Sequence, residues 1–301
     1  MPAFFYKGFG LTFCSDLELP ELHPIEAVDC DVVIERQPIE EELEPIDGHK
    51  LRYKVRNEEI YLGRPNLGLI RIAGGSILNY DPSQTCCRKQ LRAVILGSGI
   101  AAILYQRGQL ALHASCVVVD GQAILLAGNS GVGKSTLAAA FHQRGYAVIA
   151  DDLLTLRPDG NRLLVEPSVV RLKLWSDSAR ALGISTSRLE VFSNGPRPRY
   201  LLPLPATDLS SKPVAALVTL GLSGDGSLGS ERAEGARVAN LLYRITFRHG
   251  FLRTPQVHQE HFQAVTQCAE RLRSYLVWRP NTGWPPDRLV DYILHVMGKA
   301  S

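Results

Sequence analysis

The segment GNSGVGKS, at residues 128–135, constrains the fold of this chain more than any other feature. It matches the pattern G-x-x-x-x-G-K-[ST], follows the apolar run 122–127 and precedes a helical run. Its three glycines let the backbone curl tightly, so that successive N–H groups converge on one point. A strand, a tight glycine loop and a helix in this order predict a phosphate-binding site within an α/β fold.

The expected ligands of this loop are the phosphates of ATP together with Mg²⁺. Lys134 is placed to reach the β- and γ-phosphates, and the Ser135 hydroxyl to ligate magnesium. The alternative is a glycine turn that merely links a strand to a helix, but the flanking strand and helix favour a phosphate site. The predicted nucleotide contacts are Gly128, Asn129, Ser130, Gly131, Val132, Gly133, Lys134, Ser135 and Thr136.

Two adjacent carboxylates follow the next apolar strand. The helix after the loop is expected to end at Gly145, and the strand 146–150 leads into Asp151 and Asp152. If the crossover is right-handed and the strands are parallel, both strands end at the same edge of the sheet. One carboxylate could then hold the metal while the other accepts the proton of an attacking hydroxyl. Because Asp is also common in surface turns, a purely structural role is the alternative.

The N-terminal part of the chain has a different pattern. Residues 1–80 alternate short apolar runs with turn residues, which predicts a small β-rich domain, and residues 81–301 are expected to form a phosphate-loop catalytic domain. The predicted strands are 9–13, 31–34, 51–55, 67–73 and 77–80. The sequence Asp81-Pro82-Ser83-Gln84 has the residues of a helix start, and we expect a helix from there to about Gln106.

The remaining elements are predicted from periodicity and turn residues. Asp120-Gly121 tolerates positive φ angles and predicts a tight hairpin. The segment 221–235 holds five glycines, so we expect a mobile surface loop that acts as a linker or a lid. The further predictions are strands 112–119, 122–127, 213–222 and 275–278, and helices 236–247, 259–273 and 286–296.

Composition narrows the function classes. The 301 residues are 45% hydrophobic, which is enough to bury a sizeable core. The formal charge of +3 is too small to favour nucleic acid or a membrane surface as partner, and neither is expected. The longest apolar run, 93–105, is shorter than the ~20 residues that span a bilayer. None of the six cysteines has zinc or redox spacing, and the N-terminus does not resemble a secretory signal. We therefore expect a cytoplasmic protein.

The stretch from His113 to Asp152 resembles the HPr kinase/phosphorylase superfamily, whose catalytic domain has a fold similar to phosphoenolpyruvate carboxykinase. The resemblance lies in LHAS at 112–115, GNSGVGKST, Arg144-Gly145 and VIADD at 148–152. It implies an α/β fold of that type and a catalytic role for His113. It also implies that Asp152 is the proton acceptor and that Asp151 supports it. From the residues alone, a lone histidine at the start of an apolar strand is more often a hydrogen-bonded core residue than a catalytic one.

The chain departs from this family at several positions. Its phosphate loop continues as Ser135-Thr136 where HPr kinases usually have Ser-Glu, and their glycine-containing signature after the aspartate pair is absent. Phosphorylase activity is therefore not expected. Glu166 is the nearest counterpart of the family's glutamate ligand, so the predicted metal ligands are Ser135, Asp151 and Glu166.

Softer motifs resemble the HPr-kinase-like proteins found beside lasso peptide genes. These motifs are FGL at 9–11, SDLELPEL at 15–22 and VRLKLW at 170–175. Such enzymes are similar in length and phosphorylate a C-terminal serine of a ribosomal precursor peptide, so the resemblance implies an ATP-dependent serine kinase with a peptide partner. The wider family often assembles into rings, which implies a homo-oligomer. A kinase of a folded HPr-type carrier protein and a non-catalytic ATP-sensing module are the alternatives.

Two basic clusters remain. Arg197-Pro198-Arg199, and Arg171 with Lys173 on one face of an extended segment, could contact phosphates or a peptide carboxylate. A solvated surface is the alternative for each cluster. His258, Glu260 and His261 are interpreted as a polar helix face, because no third ligand with metal spacing accompanies the histidines.

Overall fold

The computed structural model describes residues 4–43, 51–168, 171–205, 208–252, 255–281 and 285–298. The chain divides into two compact units, the first made of Met1–Ala111 and Thr246–Ala264, the second of Leu112–Ile245 and Val265–Ser301. The sequence placed the boundary at 80/81, whereas the first unit continues to Ala111. The reason is that the helical segment after residue 87 packs on the first sheet: a Cβ at Gly99 would lie 2.8 Å from the Leu78 side chain.

The first unit contains an eight-stranded sheet with the strand order β3-β1-β2-β4-β8-β7-β6-β5. The strands are β1 Phe4–Gly8, β2 Leu11–Ser15, β3 His23–Pro24, β4 Val32–Arg36, β5 Arg52–Arg56, β6 Glu59–Arg64, β7 Gly68–Ala73 and β8 Ile77–Pro82. The predicted strands 31–34, 51–55, 67–73 and 77–80 are confirmed. The predicted strand 9–13 begins instead with a turn at Phe9, whose φ is 56°, and β1, β3 and β6 were not predicted.

The helix predicted to start at Asp81 begins later. Asp81 and Pro82 still pair with β7, and the Asp81 carboxylate accepts a hydrogen bond from the Ile39 N–H (3.3 Å) instead of capping a helix. The helical segment consists of α1 Arg88–Val94, a π-helical turn Ile95–Gly99 and α2 Ile100–Gln106. The predicted start was therefore wrong, because strand pairing competes for these residues, while the predicted end at Gln106 is confirmed.

The second unit is built on a mixed sheet with the order β11-β9-β10-β17-β13-β12, in which β19 pairs with β17, and β18 with β19. Three further strands form a separate sheet in the order β14-β16-β15. The bounds are β9 Ser115–Val119, β10 Gln122–Gly128, β11 Ala147–Ala150, β12 Leu156–Asp159, β13 Arg162–Val165, β14 Arg171–Trp175, β15 Glu190–Ser193, β16 Arg199–Pro203, β17 Lys212–Leu222, β18 Gly229–Ala233 and β19 Ser274–Arg279. Val170 of the quoted VRLKLW segment lies outside the described residues.

Strand directions bring the predicted site together. Both β10 and β11 are antiparallel to β9, so they are parallel to each other and end at the same edge, although β9 lies between them. The hairpin between β9 and β10 has positive φ at Asp120 (51°) and Gly121 (72°), as predicted. The phosphate loop and the aspartate pair therefore meet at one edge of the sheet.

The other helices are α3 Lys134–Gln143, α4 Ser176–Ala181, α5 Ala236–Arg244, α6 Pro255–Ala269 and α7 Pro286–Val296, with a 3-10 turn at His249–Phe251. The predicted helix 286–296 is confirmed, and α5 and α6 end before their predicted limits. In the second unit, α3 and α7 pack together over the sheet. The core beneath the phosphate loop includes Ile124, Phe141, Val218 and Ile293.

The glycine-rich segment 221–235 is more ordered than predicted. Strand β17 extends to Leu222, and β18 pairs with β19 along its whole length. Gly229 lies against the Trp278 ring, where a Cβ would be 2.5 Å from the indole nitrogen. The prediction of a mobile linker or lid was therefore wrong for residues 229–233. Within the described ranges, none of the helices has the length and apolar character needed to cross a bilayer.

Candidate active site

The phosphate loop connects the end of β10 to the start of α3. Gly128, Gly131 and Gly133 have φ angles of 134°, 84° and 109°, a region that side chains rarely adopt. At Gly128 a Cβ would also lie 2.5 Å from the Leu220 carbonyl oxygen of β17, so the sheet itself requires glycine there. A Cβ at Gly131 would meet no atom within 4 Å. The loop therefore curls at the sheet edge and is open on its outer side.

Lys134 is held over this loop. Its side chain is largely buried, and Nζ donates to the carbonyl oxygens of Gly128 (2.9 Å) and Asn129 (3.3 Å). Burial lowers the pKa of Lys134, and the nearby carboxylates of Asp151 and Asp152 oppose this shift. The ammonium group is thus fixed beside the N–H groups at the start of α3. The ammonium charge and these N–H groups both favour a bound anion.

Asp151 lies buried beneath the loop. Its Oδ1 accepts hydrogen bonds from the hydroxyls of Ser115 (2.7 Å) and Ser135 (3.1 Å), and its Oδ2 accepts one from the Lys173 backbone N–H (3.2 Å). Burial, and then the charge of Asp152, raise the pKa of Asp151 to about 6. This carboxylate therefore connects the predicted metal-binding serine to β14.

Asp152 differs from its neighbour in exposure and direction. It has a φ of 68° and lines the cavity in front of the loop, with 37% of its side chain exposed. Burial alone would raise the pKa of this carboxyl, but the Lys173 ammonium, 2.8 Å from Oδ2, outweighs burial and lowers it. An ionised carboxylate consequently faces the phosphate loop.

His113 fixes the backbone of this aspartate. Its Nδ1 lies 2.8 Å from the Asp152 carbonyl oxygen, and its backbone N–H donates to the Ile245 carbonyl (2.7 Å). Burial, and then the nearby Lys134 ammonium, lower the pKa of His113 and favour the neutral ring. The ring also lines the cavity. The structure thus combines both interpretations of His113, since it is a hydrogen-bonded histidine and lies at the site.

The cavity measures about 190 Å³ and has a basic wall opposite the loop. This wall is formed by β14, the start of β16 and the turn before it, and consists of Lys173, Trp175, Arg197 and Arg199. The guanidinium carbons of Arg197 and Arg199 lie 4.7 Å and 3.8 Å from the centre of the Trp175 ring, which holds them in place by cation–π contact. The sequence identified the basic residues as candidates but missed the role of Trp175.

One predicted metal ligand, Glu166, has its contacts elsewhere. Glu166 accepts hydrogen bonds from Ser211 (2.8 Å) and Arg157 (3.3 Å), and none of its contacts reaches Ser135 or Asp151. Glu166 was proposed as the nearest counterpart of the family's glutamate ligand, but it follows β13, which pairs with the start of β17 and not with its end at the loop edge. The predicted nucleotide contact Thr136 does line the cavity, where its hydroxyl donates to Ser178 of α4 (2.7 Å).

Sequence reasoning also missed Arg279 at the end of β19. Its Nη2 donates to the Val132 carbonyl of the phosphate loop (3.0 Å), and Nη1 donates to the Pro280 carbonyl (2.8 Å). Only the parallel pairing of β17 and β19 brings this residue to the loop edge. The sequence could have indicated Arg279 only through its position, because it is a basic residue directly after the predicted strand 275–278.

Comparison with known proteins agrees with this geometry. Residues 107–184 match the family model described as HPr Serine kinase C-terminal domain. The matched range contains the phosphate loop, His113 and both aspartates. It also contains β14 with Lys173, so the similarity covers most of the cavity lining.

The curated relatives are similar over the same short region. An HPr kinase/phosphorylase of an Exiguobacterium species is 38% identical over 76 residues, which is 25% of this chain and 24% of that protein. One from Chlorobium limicola is 42% identical over 53 residues, 18% of this chain and 16% of the relative. The chain therefore matches about a quarter or less of the length of these relatives.

Among solved structures, the Hpr(Ser) kinase/phosphatase from Coxiella burnetii aligns over 62% of this chain and 94% of its own. The pair is 13% identical with a TM-score of 0.33, a value too low to support a shared arrangement of the whole chain.

Proposed function

We propose that this chain is an ATP-dependent serine kinase. The observation that carries the proposal is that ionised Asp152 faces the phosphate loop and Lys134 across a single cavity. The match of residues 107–184 to a serine kinase domain supports the same activity.

In the proposed reaction the hydroxyl oxygen of the acceptor attacks the γ-phosphorus of ATP. The bond from that phosphorus to the β–γ bridging oxygen breaks, and ADP leaves with the electron pair. Asp152 accepts the hydroxyl proton, while Lys134 and the loop N–H groups stabilise charge on the transferring group. His113 positions Asp152 by holding its backbone carbonyl.

The residues beneath the loop fit a magnesium ion. Ser135 and Asp151 supply a hydroxyl and a carboxylate oxygen, the ligand types that Mg²⁺ prefers, and they lie 3.1 Å apart. Glu166 does not fit, because its carboxylate is bonded to Ser211 and Arg157. Bound Mg²⁺ would neutralise charge on the β- and γ-phosphate oxygens. Among the described residues, no three His, Cys, Asp or Glu side chains gather into a metal site, so water and nucleotide oxygens would supply the other ligands.

The proposed acceptor is the C-terminal serine of a lasso-type ribosomal precursor peptide. A C-terminal serine carries a carboxylate beside its hydroxyl, and the basic wall offers Arg199 to pair with it, beside Arg197, which is paired with Asp177. The proposal also rests on the resemblance of the 9–22 and 170–175 segments to the kinases of lasso peptide gene clusters.

The test is mass spectrometry of a precursor peptide after incubation with ATP and Mg²⁺. The peptide with a free C-terminal serine should gain one phosphate group or more, and its C-terminal amide should react at least tenfold more slowly. The Lys134→Ala variant should lose roughly 100- to 1,000-fold in rate. Phosphorylation at full rate by Lys134→Ala would exclude this mechanism.

A folded HPr-type carrier protein is the second candidate acceptor, favoured by the family match. Incubation of the chain with such a carrier, in parallel with the peptide, distinguishes the two substrates. ATP binding without transfer to either acceptor would instead indicate a nucleotide-sensing module.

A further inference from the structure

A second cavity, of about 320 Å³, lies in the second unit at the sheet edge opposite the phosphate loop. It is lined by the starts of β10 and β17, the turn between β12 and β13, the segment before β19 and the end of α7. Because β10 and β17 are parallel and both run from this cavity towards the loop, the two cavities lie at opposite ends of the same strands. Leu163, Val214 and Met297 contribute apolar surface.

Three arginines converge on this cavity. Arg271 is fixed, since Nε donates to the Gly160 carbonyl (3.1 Å) and Nη1 to the Gln267 carbonyl (2.6 Å). Arg162 and Arg273 come from β13 and from the residue before β19. Across the described residues, the side chains of these two arginines have no hydrogen bond, ion pair or ring contact.

Arg162 and Arg273 are exposed and have no carboxylate partner among the described residues, while Arg271 has one. Glu270 lies 3.6 Å from Arg271 and is mostly exposed, and Asp159 is the register partner of Arg162 in the β12–β13 hairpin. Neither carboxylate forms an ion pair with Arg162 or Arg273. Like charges around one cavity repel, and an anion between them would relieve that repulsion.

The donors favour a phosphate group. Arg162 and Arg273 each present a planar fork of N–H groups that matches the oxygens of phosphate, while Arg271 adds its charge and its Nη2. The amides of Gln122 and Asn161 line the same cavity. A volume near 320 Å³ also admits an organic part, for which Leu163, Val214 and Met297 provide contact. We propose that this cavity is a second anion site, which binds the phosphate group of a small molecule between Arg162, Arg271 and Arg273.

Inorganic phosphate is the probe, and the full chain is used throughout. All proteins carry Lys134→Ala, so that any phosphate held by the loop contributes equally to each. Thermal unfolding is followed with rising phosphate, against sodium acetate of matched ionic strength. The test variant is Arg162→Gln/Arg273→Gln. The matched control is Arg232→Gln/Arg237→Gln, which changes two exposed arginines of the same unit that are paired with Glu234 and Glu231.

Phosphate should raise the melting temperature of the parent and of the control in a saturable manner, because it binds the folded state. The apparent affinity should fall at least tenfold in Arg162→Gln/Arg273→Gln. Equal phosphate shifts in all three proteins would overturn the proposal. An acetate shift in the parent as large as the phosphate shift would also overturn it, because the effect would then be a general response to ions.

Discussion

At the residue scale, the two adjacent aspartates have opposite environments. Asp151 is buried under hydroxyl and N–H donors, whereas Asp152 faces the cavity and is paired with Lys173. Both aspartates directly follow β11, and the left-handed backbone at Asp152 turns the two side chains in different directions. Lys173 links the pair, since its N–H bonds one carboxylate and its ammonium the other.

Asp152→Asn is expected to lower kcat by roughly 100-fold or more while the affinity for ATP changes little. Asparagine keeps the shape of the side chain but cannot accept the hydroxyl proton. The measurement is kcat for phosphoryl transfer beside the Kd for ATP from titration calorimetry. A variant that retains most of its kcat would show that Asp152 is not the proton acceptor.

Asp151→Asn is expected to stabilise the fold near neutral pH. In the folded chain the pKa of Asp151 is raised to about 6, above the unfolded value of roughly 3.9, so the folded state binds more protons between these values. The native chain should therefore gain stability as pH falls through 6 toward 4, and the ionised carboxylate should cost stability above 6.

Chemical denaturation at two pH values measures this effect. The variant should exceed the native chain by about 1–2 kcal/mol at pH 7.5, and the difference should shrink at pH 5. A difference independent of pH would contradict the raised pKa, and a less stable variant at both values would show that the hydrogen bonds outweigh burial.

At the element scale, local signals predicted the loop, the hairpin and the last helix, because each depends on a few consecutive residues. The sequence did not predict where strands pair. Asp81-Pro82 has the residues of a helix cap, yet it stays in β8 because β7 pairs with it. Gly229 looked like part of a loop, yet it is needed for contact with Trp278 of the paired strand. Long-range partners decide such positions, and they are not visible in a local window.

The phosphate loop also depends on a long-range partner, because Gly128 lies directly against β17. This contact gives a prediction for Gly128. Gly128→Ala should destabilise the fold by roughly 1–3 kcal/mol more than Gly145→Ala. Both glycines have positive φ, but only a Cβ at Gly128 would meet the Leu220 carbonyl, at 2.5 Å, while one at Gly145 meets nothing within 4 Å. Urea unfolding of both variants measures the difference. Equal losses would mean that the backbone angle alone requires glycine at the loop.

At the scale of the whole molecule, the first unit is discontinuous in sequence. Residues 246–264 return to it, and hydrogen bonds and ring contacts hold them there. The Phe247 N–H donates to the Ala111 carbonyl (2.8 Å), the Tyr105 hydroxyl donates to the Phe247 carbonyl, and the rings of Tyr53 and Phe251 pack edge to face at 5.3 Å. A boundary at 80/81, placed from local patterns, could not reveal this returning segment, which is separated from its partners by more than a hundred residues.

The N-terminal unit should therefore fold only when its returning segment is present. A fragment of residues 1–111 joined through a short Gly-Ser linker to 246–264 is expected to unfold cooperatively on heating, because it retains the buried ring of Phe251. A fragment of residues 1–80 lacks this segment and the helices that pack on the sheet, so it should show no cooperative transition. Circular dichroism melting of both fragments is the measurement, with Phe251→Ala in the longer one as a matched control that should cost about 3–5 kcal/mol. Cooperative folding of residues 1–80 with the stability of the longer fragment would restore the shorter domain that the sequence predicted.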